Sequence, residues 1–142
     1  MTVKEIMTPR VQKVGQDESL RSVRHVFEKQ PFHHLLVVHQ GRLVGVISDR
    51  DLLKHISPFV GQNMMERPQD RRTLNLRVHQ IMSRRLHTVG PEVSVQVAAD
   101  RMIAAGVSCL PVISPDGKPL GIVTWKDLLA AYVALAALPA GS

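Results

Sequence analysis

Gly45-Val46-Ile47-Ser48-Asp49-Arg50-Asp51-Leu52-Leu53 returns 76 residues later as Gly121-Ile122-Val123-Thr124-Trp125-Lys126-Asp127-Leu128-Leu129. A second pair, Val3-Lys4-Glu5-Ile6-Met7-Thr8 and Val78-His79-Gln80-Ile81-Met82-Ser83, recurs at a spacing of 75. The chain is an internal duplication with one residue added inside the second copy. One supersecondary unit, written twice, therefore governs the fold.

Working outward from the quoted stretch, residues 34–38 and 43–47 are two β-rich runs joined across His39-Gln40-Gly41-Arg42, a hairpin signal. Before them, residues 11–14 read as a short strand and residues 17–30 as a helix with Asp17 or Ser19 as its cap. Leu20, Val23 and Phe27 give that helix one buried face, and Pro31 ends it. Ser48 or Asp49 caps a second helix reaching about Ile56, before Pro58. The second copy repeats the order: strand 86–89, a helix with Pro91 in its first turn and Val95, Ala98 and Met102 on its buried face, Gly106 as stop, a hairpin of 109–113 and 120–124, and a final helix from Trp125. Each copy is strand, helix, strand, strand, helix, an α/β (α+β) arrangement. The expected division is residues 1–57 as repeat 1, 58–75 as a polar linker and 76–138 as repeat 2, the two paired about a pseudo-twofold axis. A copy of roughly 60 residues buries too little surface to be comfortable alone, so the two form one module.

Composition excludes several classes. The chain has 142 residues, 44% of them hydrophobic. Its only cysteine, Cys109, permits no intramolecular disulfide, and a reducing compartment, the cytoplasm, is the expected home. The N-terminus has no apolar signal core, and the apolar run 128–138 is too short to span a bilayer; that tail is expected to pack on itself or on a partner. A net charge of +6 and a pI near 10.1 favour anionic partners. Aromatics make up only 4%, however, which weighs against nucleic acid and leaves the basic surface, including Arg67, Arg71, Arg72 and Arg77, as a solvated one.

The chemistry lies where a buried strand ends as glycine, two apolar residues and a hydroxyl residue, with an aspartate three further on. Glycine admits another group close to the backbone, and a helix start offers N–H groups to an anion. Ser48 or Thr124 can donate a hydroxyl hydrogen bond to a phosphate or sugar, and Asp51 or Asp127 can accept from a ribose diol. The same residues equally describe a helix cap and a first-turn charge.

The ordered set Ile6-Met7-Thr8-Pro9, His34-Leu35-Leu36-Val37-Val38 and Gly45 to Asp51, with Ile81-Met82-Ser83, Leu110-Pro111-Val112-Ile113 and Gly121 to Asp127, resembles the CBS domain pair, or Bateman module, over nearly the whole chain. The resemblance implies a non-enzymatic regulatory sensor, a homodimer acting on a separately encoded protein, that binds AMP, ADP, ATP or S-adenosylmethionine in clefts between its repeats. It assigns Ser48 and Asp51 to one cleft and Thr124 and Asp127 to the other, with apolar walls from Val11, Val37 and Ile47 and from Leu86, Val112 and Val123. Arg50 and Lys126, just before each aspartate, depart from members with a second hydroxyl there and either favour a more highly phosphorylated ligand or simply add surface charge. Thr124 and Pro111 bring the second repeat nearer the family pattern. No cofactor is required on this reading.

Other chemistries find less support. His33 and His34 face opposite sides of a strand and do not chelate by themselves, so no metal site is expected. Cys109 lies mid-strand without a base and reads as an inert core thiol; no catalytic residue is assigned. The alternative function is an interaction module with empty clefts whose basic surface binds nucleic acid or an acidic protein.

Overall fold

The computed structural model describes residues 1–137. In chain order the elements are α1 (Val3–Ile6), β1 (Lys13–Gly15), α2 (Leu20–Lys29), β2 (His34–His39), β3 (Arg42–Ser48), α3 (Asp49–His55), α4 (Pro68–Arg72) running into a 3-10 turn (Thr73–Asn75), α5 (Val78–Ile81), α6 (Val95–Ala105), β4 (Cys109–Ile113), β5 (Pro119–Thr124) and α7 (Trp125–Ala136). Helices and strands are thus mixed in the order the duplication implies. They gather into two compact units, Gln12–Leu86 and Met1–Val11 with residues 87–137. These packing units differ from the sequential copies, because the opening segment of each copy lies with the other copy's sheet.

The three-stranded unit, residues 12–86, orders its sheet β1-β2-β3, with β1 parallel to β2 and β2 antiparallel to β3. Leu35 stands opposite Ile47 and Val37 opposite Gly45, so alternate residues enter one core with Val14, Leu20, Val23 and Leu52. Val78 and Met82 of α5 and its end complete that core. The two-stranded unit pairs β4 with β5 and builds its core from Leu110, Val112 and Val123 with Ala98, Met102 and Val89. Val3 of α1 fills the place there that Val78 fills in the other unit. The backbone repeats the equivalence: Val3 N–H donates to Val93 O at 2.8 Å and Lys4 N–H to Pro91 O at 3.0 Å, while Val78 N–H donates to Glu18 O and His79 N–H to Gln16 O, both at 2.9 Å.

Local signals set the helix ends. Of the two candidate caps for α2 the chain uses Ser19, whose Oγ accepts from Ser22 N–H at 3.3 Å. Ser94 does the same for α6, so Pro91 lies in the preceding turn and not in the first helical turn. Gly106 closes α6 in the left-handed conformation, φ 67°.

Two expectations need correction. The strand expected at residues 86–89 is reduced to a single parallel bridge between Val89 and Val112. In the first copy Leu36 N–H donates to Gln12 O at 3.2 Å; its counterpart Pro111 has no N–H to give, and the ladder shortens. Residues 58–75, read as irregular linker, contain α4 and the 3-10 turn, with Leu74 and Asp70 buried. Asp70 accepts from Ser57 Oγ and from Arg67 N–H, each at 2.8 Å, so its buried carboxylate is satisfied and its pKa is held down, chiefly by the Arg67 N–H and then by Ser57. Residue 138 of the expected second repeat and of the apolar tail lies outside the described residues.

The glycines opening the quoted stretch make a close approach possible, and the approaching group is the protein itself. A Cβ on Gly121 would stand 2.6 Å from the Thr8 carbonyl oxygen, and one on Gly45 would stand 2.6 Å from Met82 Sδ and 3.0 Å from the Ser83 carbonyl oxygen. Thr8 and Ile122 exchange backbone hydrogen bonds at 2.8 and 3.0 Å, and Ser83 and Val46 do so at 2.9 and 3.1 Å. Gly121→Ala is expected to lower stability by about 1–3 kcal/mol through overpacking against immovable backbone. Gly45→Ala should cost less, since the thioether of Met82 can turn aside. Urea unfolding followed by circular dichroism checks both the size and the order.

Candidate functional site

β3 and β5 each run directly into a helix through a hydroxyl residue. At the start of α3, Ser48 Oγ accepts from Asp51 N–H at 3.0 Å and Asp51 Oδ2 accepts from Ser48 N–H at 2.9 Å. At α7, Asp127 Oδ2 accepts from Thr124 N–H at 2.8 Å and from the Thr124 hydroxyl at 3.1 Å, while Asp127 N–H reaches Thr124 Oγ1 at 3.3 Å. Both are capping boxes, with the shorter aspartate in the place glutamate more often takes. The capping reading of these residues is therefore correct. It does not exhaust them: all four side chains are half-buried, and each cap engages its aspartate through Oδ2 alone. The cap leaves Oδ1 of each aspartate unused.

The helix starts offer an anion less than the sequence suggested. Asp49 N–H donates to His33 O at 3.0 Å and Trp125 N–H to Ser108 O at 3.1 Å, while the N–H groups of Asp51 and Asp127 are held by the caps. Arg50 and Lys126 are exposed, and Lys126 Nζ lies 5.9 Å from the centre of the Trp125 ring. His34 stands opposite Ser48 in the β2–β3 register. Burial pulls its pKa below the ordinary histidine value, against the raising fields of Asp49 and Asp51. The His33 Nδ1 is 2.8 Å from Asp49 Oδ2, and His55 Nδ1 donates to the Asp51 carbonyl at 2.8 Å.

The residues assigned to apolar walls divide. Val37, Ile47, Val112 and Val123 have no solvent exposure and lie within the two cores. Val11 and Leu86 are half-buried. Val11 belongs to the unit that carries Thr124 and Asp127, and Leu86 to the unit that carries Ser48 and Asp51, the reverse of their sequential grouping.

Sequence reasoning missed the neighbours of each motif. The bridge to Ile122 brings Thr8, followed by Pro9 and Arg10, alongside the strand that ends at Thr124; the bridge to Val46 brings Ser83, followed by Arg84 and Arg85, alongside the strand that ends at Ser48. Thr8 and Ser83 are exposed. The repeated Met-Thr and Met-Ser pairs were the available signal, but nothing local says which copy they serve.

Among the described residues, no group of three His, Cys, Asp or Glu side chains gathers to hold a metal ion, and no helix is long and apolar enough to cross a membrane. Burial pushes the Cys109 thiol up to about 11.

A family model for the CBS domain matches residues 3–58 and 78–134, and the chain belongs to the CBS domain family. A CBS domain-containing protein of Dictyostelium discoideum is 33% identical over 132 residues, covering 89% of this chain and 88% of that protein. The uncharacterized protein MJ1225 of Methanocaldococcus jannaschii is 31% identical over 112 residues, covering 79% of this chain but 40% of that protein. The L-aspartate semialdehyde sulfurtransferase of Methanosarcina acetivorans, an enzyme, matches at 29% identity over 89% of this chain but only 23% of its own length. Among solved structures, MJ1225 has a TM-score of 0.80 at 28% identity, covering 92% of this chain and 47% of that one. CBSX2 in complex with AMP has a TM-score of 0.78 at 26% identity, covering 95% and 98%. The cytosolic domain of the Mg2+ channel MgtE in complex with ATP has a TM-score of 0.68 at 27% identity, covering 88% and 46%.

A thiol that ionises only near pH 11 has almost no thiolate at pH 8. Native protein should therefore react with a disulfide reagent such as DTNB at least about a hundredfold more slowly than urea-unfolded protein, which a stopped absorbance assay of the single cysteine reads directly.

Proposed function

We propose that the chain is a non-enzymatic regulatory module of the cytoplasm that binds an adenosyl ligand, either an adenine nucleotide (AMP, ADP or ATP) or S-adenosylmethionine, at the ends of β3 and β5. The observation that carries the reading is the twice-built hydroxyl–aspartate pair, each carboxylate fixed by one oxygen and open at the other. An acceptor held in place before the ligand arrives loses little entropy on binding a ribose hydroxyl. Arg50 and Lys126, with Arg10, Arg84 and Arg85 on the bridging segments, supply positive charge for phosphate. That CBSX2 was solved with AMP and the MgtE domain with ATP supports the ligand class.

The same geometry supports a route of transmission. Asp127 lies in the first turn of α7, and along that helix Trp125, Leu129, Tyr132 and Val133 are each more than half exposed. Their spacing places them along one stripe. A contiguous apolar stripe on a water-facing helix favours a partner, and we assign it to a second copy of the chain or to a separately encoded regulated protein. A ligand held at the helix start then biases the conformation that presents the stripe, and reciprocally the partner alters ligand affinity.

Asp127→Asn preserves an oxygen for the cap and removes the charge. It should weaken adenine-nucleotide binding by roughly ten- to a hundredfold, the equivalent of a charge-assisted hydrogen bond of about 1.5–3 kcal/mol. Titration calorimetry showing unchanged affinity would remove Asp127 from the site, and Asp51→Asn reports on the other site separately. Tyr132→Glu on the apolar stripe should shift the molecular mass in light scattering from dimer to monomer; a wild-type protein already monomeric at high concentration would remove the self-association.

A further inference from the structure

The formal charge of +6 is not spread over the molecule. The three-stranded unit holds 13 Lys and Arg against 7 Asp and Glu, while the two-stranded unit holds 5 against 5. The duplication supplies an internal control on what the fold requires. Helices α2 and α6 bury matching faces, Leu20 and Val23 in one and Ala98 and Met102 in the other. Where α2 exposes Arg21 and His25, however, α6 has Gln96 and Asp100, and the half-buried Arg24 has Ala99 as its counterpart. The basic face is therefore no demand of the architecture.

That face lines one side of an open groove of about 600 Å³, whose other side is the 58–75 segment. Its floor is aliphatic, from Val26, Val60 and Leu74, and Arg21, Arg24 and Arg71 stand around it together with the carboxylate of Glu28. The far wall is firmly built. Asp70 ties Ser57 to Arg67, Thr73 Oγ1 donates to the Asp70 carbonyl at 2.7 Å, and Glu66 accepts from Gly61 N–H at 2.7 Å and from Arg71 at 2.9 Å. Arg24 pairs with Glu28 at 3.0 Å, but a guanidinium carries five donors and each pairing arginine keeps most of them. Arg21 has no hydrogen bond or ion pair among the described residues.

We propose that this groove is a docking site for an acidic protein segment, one that seats aliphatic side chains on the floor and sets Glu or Asp against the arginines. The choice among anions follows from the lining. Nucleic-acid grooves stack successive bases on several aromatic rings, and this one is lined by no Phe, Tyr or Trp and by the single imidazole of His25. A small phosphate needs neither the length nor an aliphatic floor. An acidic amphipathic peptide uses both, with arginine forks receiving carboxylates in pairs. The site does not rest on the nucleotide reading and lies on different residues.

The test is calorimetric titration of the full chain with a synthetic peptide of about twelve residues carrying Glu and Leu at helical spacing. Two probes run beside it: an all-polar peptide of equal charge with Ser for Leu, and a short DNA duplex. The wild type should bind the Glu/Leu peptide with salt-sensitive affinity, at least about tenfold tighter than either probe, and R21E/R24E should weaken it by about tenfold or more. No binding to the Glu/Leu peptide, equal binding of the polar peptide or of the duplex, or unchanged affinity in a folded R21E/R24E protein would each overturn the proposal. The probe comparison is made on the wild type, so it stands even if the double variant folds poorly.

Discussion

Two backbone bridges laid over glycine hold this protein's plan in place. Thr8 against Ile122 and Ser83 against Val46 each exchange a reciprocal pair of hydrogen bonds, and the space that lets the chains meet exists only because Gly121 and Gly45 have no side chain. Everything downstream is positioned from there. The strand that receives the bridge ends two residues later at the cap residue, the cap fixes the aspartate, and the aspartate opens the helix. A hydrogen-bonded edge, a capped helix and a half-shielded carboxylate are thus three consequences of one close approach.

Duplication then lets the same backbone carry different surfaces. Ser48 with Asp51 and Thr124 with Asp127 are nearly superfluous copies as local structures, and the helices they start share an exposed leucine, Leu53 and Leu129, but differ over much of the rest of their exposed faces. Exposed positions of α3 include Arg50, Lys54 and His55, whereas α7 shows Trp125, Leu129, Tyr132 and Val133. The same contrast appears between α2 and α6. Buried faces have kept their character because the cores tolerate few volumes, while exposed faces have been free to become basic in one unit and apolar in the other.

Much of this was legible in the residues. Runs of β-branched and aliphatic residues on either side of Gly41, and again at 109–113 and 120–124, announced both hairpins, and Ser19 and Gly106 punctuated the helices through groups a few positions away. The hydroxyl–aspartate pairs were readable for the same reason, since a capping box acts over three residues. What escaped depended on distant partners. Asp70 sits buried in a segment that looks solvated because Ser57, thirteen residues earlier, satisfies it. The strand around Val89 shrank because Pro111, across the sheet, has no proton to offer. Thr8 and Ser83 were unreadable as neighbours of the two motifs because no local pattern states which copy a segment will join.

That exchange of opening segments bears on how such a chain could have arisen. The sheet of residues 12–86 is completed by Val78 and Met82, and the sheet of the second copy by Val3 and Met7, so neither sequential half encloses its own interior. A forebear consisting of a single copy could have sealed its interior only by lending its first few residues to a sister chain and borrowing theirs. Fusion of two such genes would have turned that loan between molecules into a connection within one, with the stretch around Asp70 as the splice.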